Sequence, residues 1–398
     1  MMKKVCIFNF PKIDSFHGYS IDSLDPGPYF RRSKKYELRN LMQCAVNRSY
    51  TITDLTSAGT VDRLYRERDP FYMRFVGDFV DKFKDVDLLV LSHNIIHPEV
   101  LFHSLKRPIK VLGFVDDPHS TYLRQIPYLW AFDGAFYISP SYNDQILFRD
   151  ALERWGCEQS YWWPLIWPKP RSTSENRNIR HGTACGQTYW WPLVPPRLAA
   201  REQPQIFFDK RDIDLIYVGG HYTSKTRRLI KLRRHFGSRL RIYGQWGLGG
   251  YSGIARGLFG RPVLWARVPR ITDLERIELY CRARIGINMH LSDRPMETGN
   301  MRMYEVPAHG AMLLCDKAGL NAHEQIFEPD KEAVFYDSIE DAIQKIEYYL
   351  QHDEERKRVA RAGFNRVHAD YDGESNLKHF LDWASALPKK QEVRYQLP

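Results

Sequence analysis

Short apolar runs alternate along this chain with longer segments of mixed polarity, and this alternation constrains the fold more than any other feature. In the first half, the apolar runs predict strands at Val5–Phe8, Thr51–Leu55, Asp87–Leu91, Ile109–Val115 and Ala135–Ser139. The segments between or after them predict helices at Leu38–Val46, Phe71–Phe83 and Asn143–Trp155. Such a succession is typical of βαβ units around a mainly parallel sheet.

The alternation resumes after residue 213 and predicts a second sheet. Its predicted strands are Leu215–Val218, Leu240–Tyr243, Ile285–Met289, Ala311–Cys315 and Ala333–Tyr336. Predicted helices lie near Leu229–Phe236, Thr272–Arg282, Met301–His309, Ile339–Leu350, Glu354–Val367 and Ser375–Leu387. We therefore expect an α/β protein with two doubly wound, Rossmann-like domains that face a cleft. The expected domains are residues 1–200 and 206–370, and residues 371–398 form a helix and tail that pack back on the first domain.

An aromatic segment at residues 160–205 separates the two expected domains. Ser160–Leu165 reads Ser-Tyr-Trp-Trp-Pro-Leu and is echoed by Thr188–Leu193, as in a small local duplication. The aromatic side chains either cover the seam between the domains or form a platform on which a sugar or base stacks. We favour a linker or insertion that covers the seam.

Composition excludes several classes of protein. No apolar run reaches the roughly 18 residues that a membrane span requires. The 6 cysteines are far apart and form no Cys-x-x-Cys pair, which favours reduced thiols in a cytoplasmic protein over a disulfide framework or structural zinc.

The chain is basic, with 58 Lys and Arg against 48 Asp and Glu, a formal charge of +10. This balance predicts an anionic partner. Much of the excess lies in residues 225–241, where apolar residues at helical spacing also fit an amphipathic helix with a solvated basic face. The competing interpretation is a surface for nucleic acid, anionic lipid or a phosphorylated acceptor.

The predicted strand at Ile285–Met289 ends next to the most informative polar segment. A loop leads from it to Gly299 and Asn300, and a predicted helix follows with Arg302 in its first turn. Asn300 is a plausible N-cap, Gly299 lets a ligand approach the backbone, and Arg302 adds a fixed positive charge. Because helix N-termini bind anions, the segment predicts a diphosphate site.

Three segments together, 288–290, 297–305 and 308–316, resemble the donor-binding half of GT-B fold glycosyltransferases. The likeness is to CgeB-like proteins of the spore-maturation type, which are related to glycosyltransferase family four. Glu297 and Glu305, with seven residues between them, resemble the Glu-x7-Glu motif of that retaining class. The resemblance covers most of residues 214–370.

The resemblance implies roles for particular residues. Glu305 would hold the ribose hydroxyls, and Glu297 with the backbone of Gly299, Asn300 and Met301 would contact the donor sugar and diphosphate. Arg302 matches an arginine of the CgeB-like motif. The remaining implied donor-binding residues follow the predicted strands: Gly219 and Gly220 with either Lys225 or Arg227, then Tyr243 and Gly244 beneath the base, and Asn288.

In the first domain, the predicted strand Ile109–Val115 runs into Asp116-Asp117-Pro118-His119. Acidic residues and a histidine at a strand's carboxyl end place titratable groups on the expected cleft. The position is similar to where family members keep a histidine or acidic residue that faces the reacting sugar, so Asp116 and His119 are candidate catalytic residues. The alternative is an Asx-type turn that ends the strand.

The resemblance implies transfer of a sugar, with retention, from a nucleotide-diphosphate sugar to a hydroxyl acceptor. No metal and no cofactor beyond that co-substrate are implied, because helix N–H groups and Arg302 would replace a cation. The acceptor stays open between a polysaccharide or lipid-linked glycan and a modified DNA base. A non-catalytic nucleic-acid or polymer-binding protein on the same fold is a further alternative.

Overall fold

A computed structural model describes residues 3–8, 13–24, 58–91, 96–114, 125–143, 145–164, 208–220, 223–244, 271, 273–290, 300–317, 319–371 and 373–390. The described residues form two sheets with helices packed on them. Among these residues, no helix is both long enough and apolar enough to span a bilayer.

The first sheet has seven strands in the order β2-β3-β1-β4-β5-β6-β7. The strands are β1 Lys3–Phe8, β2 Ile13–Phe16, β3 Tyr19–Leu24, β4 Leu88–Leu91, β5 Ile109–Phe114, β6 Gly134–Tyr137 and β7 Ser160–Trp162. All neighbours pair in parallel except β2 with β3. Strands β4 and β6 are buried along their whole length, which is why their sequences are continuous apolar runs rather than alternating ones.

Helices α1 Ala58–Arg66, α2 Pro70–Phe83, α3 Pro98–His103 and α4 Phe148–Arg154, with a 3-10 helix at Ile126–Ala131, accompany this sheet. Helix α4 begins later than the predicted Asn143–Trp155. The Asn143 side chain accepts the backbone N–H groups of Gln145 and Ile146 at 2.8 and 2.9 Å, an Asx-type turn that competes with helix.

Two further features of the first half differ from expectation. Ser160–Trp162, interpreted as the start of a linker, is the edge strand β7, because its backbone pairs in parallel with β6. The hairpin of β2 and β3 was not predicted. The predicted helix Leu38–Val46, the predicted strand Thr51–Leu55 and the second aromatic repeat at Thr188–Leu193 lie outside the described residues.

The second sheet has five strands, all parallel, in the order β12-β11-β10-β8-β9. They are β8 Ile213–Val218, β9 Leu240–Tyr243, β10 Ala283–Asn288, β11 Met312–Asp316 and β12 Val334–Tyr336. The helices are α5 Thr223–Phe236, α6 Asp273–Arg282, α7 Met301–Ala308, α8 Ile339–Gln351, α9 Asp353–Asp370 and α10 Gly373–Ser385. Short 3-10 helices lie at Gly237–Arg239 and Gly319–Gln325. The predicted elements of this half coincide with observed ones apart from shifts at their ends.

Helix α10 contacts the first sheet although it follows the second one in the chain. The Phe380 ring stacks on Trp163 with centroids 3.9 Å apart and meets Phe136 at 5.2 Å. The Tyr19 hydroxyl donates to the Asp382 carboxylate at 2.7 Å. The C-terminal helix therefore covers the buried aromatic residues Phe136 of β6 and Trp163, which follows β7.

The basic segment around α5 is partly neutralised by acidic residues of the same half. Lys231 Nζ lies 2.9 Å from Glu340 of α8, and His235 Nε2 lies 2.7 Å from Glu347 of the same helix. Arg239 pairs with Asp214 of β8 at 2.7 Å. These pairs favour a solvated, internally balanced helix face over a continuous basic surface.

Candidate functional site

The carboxyl ends of β8 and β9 meet through glycine. The Gly219 N–H donates to the Tyr243 carbonyl at 3.0 Å. Gly244 has φ +135°, and a Cβ there would lie 2.1 Å from the Gly219 carbonyl oxygen. A Cβ on Gly219 would in turn lie 2.9 Å from Nη1 of Arg302. A side chain at either position would come too close to these atoms. Four predicted donor-binding residues lie along this edge of the second sheet: Gly219, Gly220, Tyr243 and Gly244.

Helix α7 begins at the same edge. Asn300 is its N-cap and accepts the Arg302 backbone N–H at 3.2 Å, so the predicted cap is confirmed. Met301 is the first residue of the helix. The unpaired N–H groups and positive dipole end of the helix therefore lie beyond the end of β10, as an anion site requires.

Arg302 joins three segments of the sheet edge. Its Nε donates to Oδ1 of Asn288 at 3.0 Å, and Nη1 donates to the Val218 carbonyl at 3.2 Å. Its guanidinium also lies 5.6 Å from the centre of the Tyr217 ring. Strand-end carbonyls thus hold the guanidinium in place, which is a task that the sequence analysis did not foresee. Its contact with phosphate stays a prediction.

Glu305 is 4 % exposed and lies one turn further along α7. Its Oε1 is 3.1 Å from Nη2 of Arg276, which comes from α6. A buried carboxylate is stable only when a partner offsets its desolvation, and Arg276 supplies that charge. Sequence reasoning missed Arg276, since nothing local in α6 signals that it meets α7.

Lys225 and Arg227, the two alternatives for the basic donor-binding residue, differ in burial. Lys225, in the first turn of α5, is 4 % exposed, whereas Arg227 lies at the surface. Which of the two contacts the donor stays a prediction.

A buried polar cluster lies at the ends of β10 and β11. His290 Nδ1 is 2.7 Å from Oδ1 of Asp316, and Arg228 Nη1 donates to Oδ2 of Asp316 at 2.8 Å. Burial alone would raise the pKa of the Asp316 carboxyl, but the charges and hydrogen bonds of His290 and Arg228 outweigh it and lower the pKa to about 2.

The sequence analysis included His290 and Asp316 in the resembling segments but assigned them no role. Their positions in the sequence could have indicated them, because His290 follows one buried strand and Asp316 ends another. With Cys315 they form a group whose ligand atoms lie within 4.8 Å of one another. A cation there would compete with Arg228 for Asp316, so the cluster fits a metal poorly.

Four predicted site residues, Glu297, Gly299, Asp116 and His119, lie outside the described residues. Their roles stay predictions.

Known proteins share this architecture. Residues 225–382 match the family model described as glycosyl transferase-like. No curated protein sequence matches the chain significantly.

Solved structures resemble the whole chain at low sequence identity. Anabaena HepE, solved in complex with UDP and glucose, has 11% identity and a TM-score of 0.54, and covers 97% of this chain and 100% of its own. Sucrose-phosphate synthase from Thermosynechococcus elongatus has 14% identity and a TM-score of 0.53, covering 95% of this chain and 87% of its own. TarM has 13% identity and a TM-score of 0.50 over 79% of this chain, which spans only 57% of TarM.

The two parallel sheets and the arrangement of their helices therefore define a GT-B fold. The segment that matches the glycosyl transferase-like family model lies in the second half of the chain.

Proposed function

We propose that the protein is a retaining, CgeB-like glycosyltransferase that moves a sugar from a nucleotide-diphosphate sugar to a hydroxyl acceptor. One observation carries the proposal. The capped N-terminus of α7, with Arg302 and Glu305 on the same helix, lies at the edge of the second sheet and within the glycosyl transferase-like segment. Ligands of doubly wound sheets bind beyond the carboxyl ends of the strands.

Each group at this edge suits one part of such a donor. Lys225, Arg302 and the helix N-terminus would balance the diphosphate charge, and the Glu305 carboxylate would accept ribose hydroxyls. Glu297 would contact the donor sugar. Asp116 and His119 would face the reacting sugar from the first domain.

In the proposed step, the bond between the anomeric carbon and the diphosphate oxygen breaks. The acceptor oxygen forms the new bond on the same face, and its proton passes to the departing diphosphate. The protein contributes orientation and charge stabilisation, and well-oriented reactants account for about 7–11 kcal/mol of a barrier. Metal independence and a cytoplasmic location belong to the proposal and stay predictions.

The acceptor that we propose is a polysaccharide or lipid-linked glycan. The ion pairs of Lys231 and His235 with α8 weaken the case for a DNA acceptor, because they use cations that phosphates would otherwise meet. A DNA acceptor and a non-catalytic binding protein are the alternatives that the experiment below separates.

The test is a thermal-shift and donor-hydrolysis screen with UDP-, GDP-, ADP-, CDP- and dTDP-sugars. UDP-glucose comes first, because HepE has been solved with it. A donor at about 100 times its Kd should stabilise the wild type by roughly 2.7 kcal/mol, and Glu305→Ala should lose this shift. Glu340→Ala, which removes a surface carboxylate of α8, is the matched control and should keep it.

No response of the wild type to any nucleotide sugar would overturn the proposal. DNA binding that weakens steeply with salt would then favour the nucleic-acid alternative. An equal donor shift in Glu305→Ala would remove the ribose role from Glu305 alone.

A further inference from the structure

His290 is fully buried in the cluster at the ends of β10 and β11. Its side chain has 0% exposure, and its Nδ1 lies 2.7 Å from the Asp316 carboxylate. Because a carboxylate only accepts hydrogen bonds, Nδ1 carries the proton. In a neutral imidazole Nε2 keeps an acceptor lone pair, and in a charged imidazole it carries a second N–H group.

That Nε2 has no hydrogen-bond partner among the residues that the structure describes. A buried acceptor without a partner costs free energy relative to its hydrated state, so native proteins rarely leave one. A nitrogen of this kind beside a ligand-binding edge is satisfied when the ligand arrives.

The imidazole cannot turn away to find another partner. Asp316 Oδ2 also accepts the His290 backbone N–H at 2.9 Å, and Arg228 donates one guanidinium nitrogen to the His290 carbonyl and the other to Asp316. Side chains from α5 and β11 thus fix the backbone N–H, the backbone carbonyl and the ring of His290. Groups that bind a ligand need such supporting contacts to hold their orientation.

His290 lies at the same sheet edge as the proposed donor site. It lies two residues beyond Asn288, whose Oδ1 accepts from Arg302. Arg228 lies one helical turn after Lys225 on α5. His290 is therefore linked to α5 through Arg228, and it follows the strand end that Arg302 of α7 contacts.

We propose that His290 Nε2 forms a hydrogen bond with a hydroxyl group of the bound nucleotide sugar and so determines donor specificity. The inference rests on the proposed function. A hydroxyl group both donates and accepts hydrogen bonds, so it pairs with Nε2 in either protonation state of the ring. Sites built to bond a hydroxyl reject analogues that lack it, because the buried partner is then left unpaired.

The experiment measures Kd by titration calorimetry, at one fixed pH, for the nucleotide sugar that the screen selects. His290→Ala, which removes the Nε2 contact, should weaken binding by about tenfold or more. His290→Gln, which keeps a hydrogen-bonding group at this position, should bind more tightly than His290→Ala. His309→Gln is the matched control, a buried histidine at the C-cap of α7, and should keep the wild-type Kd.

Deoxy analogues of the sugar and of the ribose identify the hydroxyl. Removal of the contacted hydroxyl should weaken wild-type binding by about tenfold or more and should not weaken His290→Ala further. A loss seen with the free nucleoside diphosphate as well assigns the ribose, and a loss confined to the sugar nucleotide assigns the transferred sugar.

The outcomes separate this inference from the proposed function. A wild type that binds no nucleotide sugar overturns both. A hydroxyl preference that His290→Ala leaves unchanged overturns the inference alone. If the variants do not fold, wild-type binding that no deoxy analogue weakens overturns it as well.

Discussion

The charged side chains at the carboxyl ends of the two sheets differ in their exposure to water. At the second sheet, Arg302 donates to strand-end carbonyls, and the buried Asp316 carboxylate accepts from its neighbours. Beyond β4 of the first sheet, His97 caps α3 and lies 3.3 Å from Asp62, whose side chain is 43% exposed. Among the described residues of the first edge, the Asp62 carboxylate therefore remains in contact with water.

This difference has a physical cause and a functional meaning. Buried charges persist only where hydrogen bonds and countercharges offset their desolvation, so the second edge is rigid. A rigid array suits a ligand of constant shape and charge, such as the proposed nucleotide diphosphate. Exposed polar groups are less constrained, which suits the side that meets the acceptor.

The largest expected effect comes from adding a side chain at Gly244, at the edge of the second sheet. Gly244→Ala should destabilise the protein by about 3 kcal/mol or more, because its Cβ would lie 2.1 Å from a backbone oxygen at φ +135°. Gly77→Ala is the counterpart in α2, where a Cβ meets no atom within 4 Å, and should stabilise by about 0.5–1 kcal/mol. Urea denaturation measures both, and equal midpoints for the two variants would contradict the contrast.

A smaller effect concerns acid stability of the second half. Burial lowers the pKa of His309 to about 3, while its Nδ1 donates to the Glu305 carbonyl. Below the usual imidazole pKa, His309 binds a proton in the unfolded chain but not in the folded state. Stability should therefore fall by up to about 1.4 kcal/mol per pH unit from about pH 6 towards 3.

Urea midpoints measured across that range check this expectation. His309→Gln should lose the histidine's share of the slope, although its stability at pH 7 falls through lost packing with Tyr280. A slope identical to that of the wild type would show that His309 is protonated in the folded state.

The smallest effect is expected at the surface of the first half. Asp62 and Arg66 pair along α1, and the Arg66 side chain is 75% exposed. A double-mutant cycle should give a coupling energy close to zero, and any coupling should vanish in high salt. The cycle for Glu305 with Arg276 should give a larger and less salt-sensitive value, and equal values would remove the contrast between the halves.

Local patterns allowed most of the second half to be predicted from the sequence. Its strands are buried apolar runs, and Asn300 precedes a helix as capping chemistry requires. The first half was predicted less well. The start of α4 depends on an Asx turn at Asn143, and β7 became visible only through its pairing with β6.

The sequence by itself determined the two α/β halves and the capped helix, because these follow from periodicity and from neighbours in the chain. The resemblance to a known family implied most of the candidate donor residues. Only the tertiary structure decided which polar side chains meet. Arg228 and Asp316 are 88 residues apart, and Arg302 reaches the end of a strand 84 residues before it. Such contacts arise when parallel strands bring their ends to one edge, so buried networks like that of His290 depend on packing that no local pattern encodes.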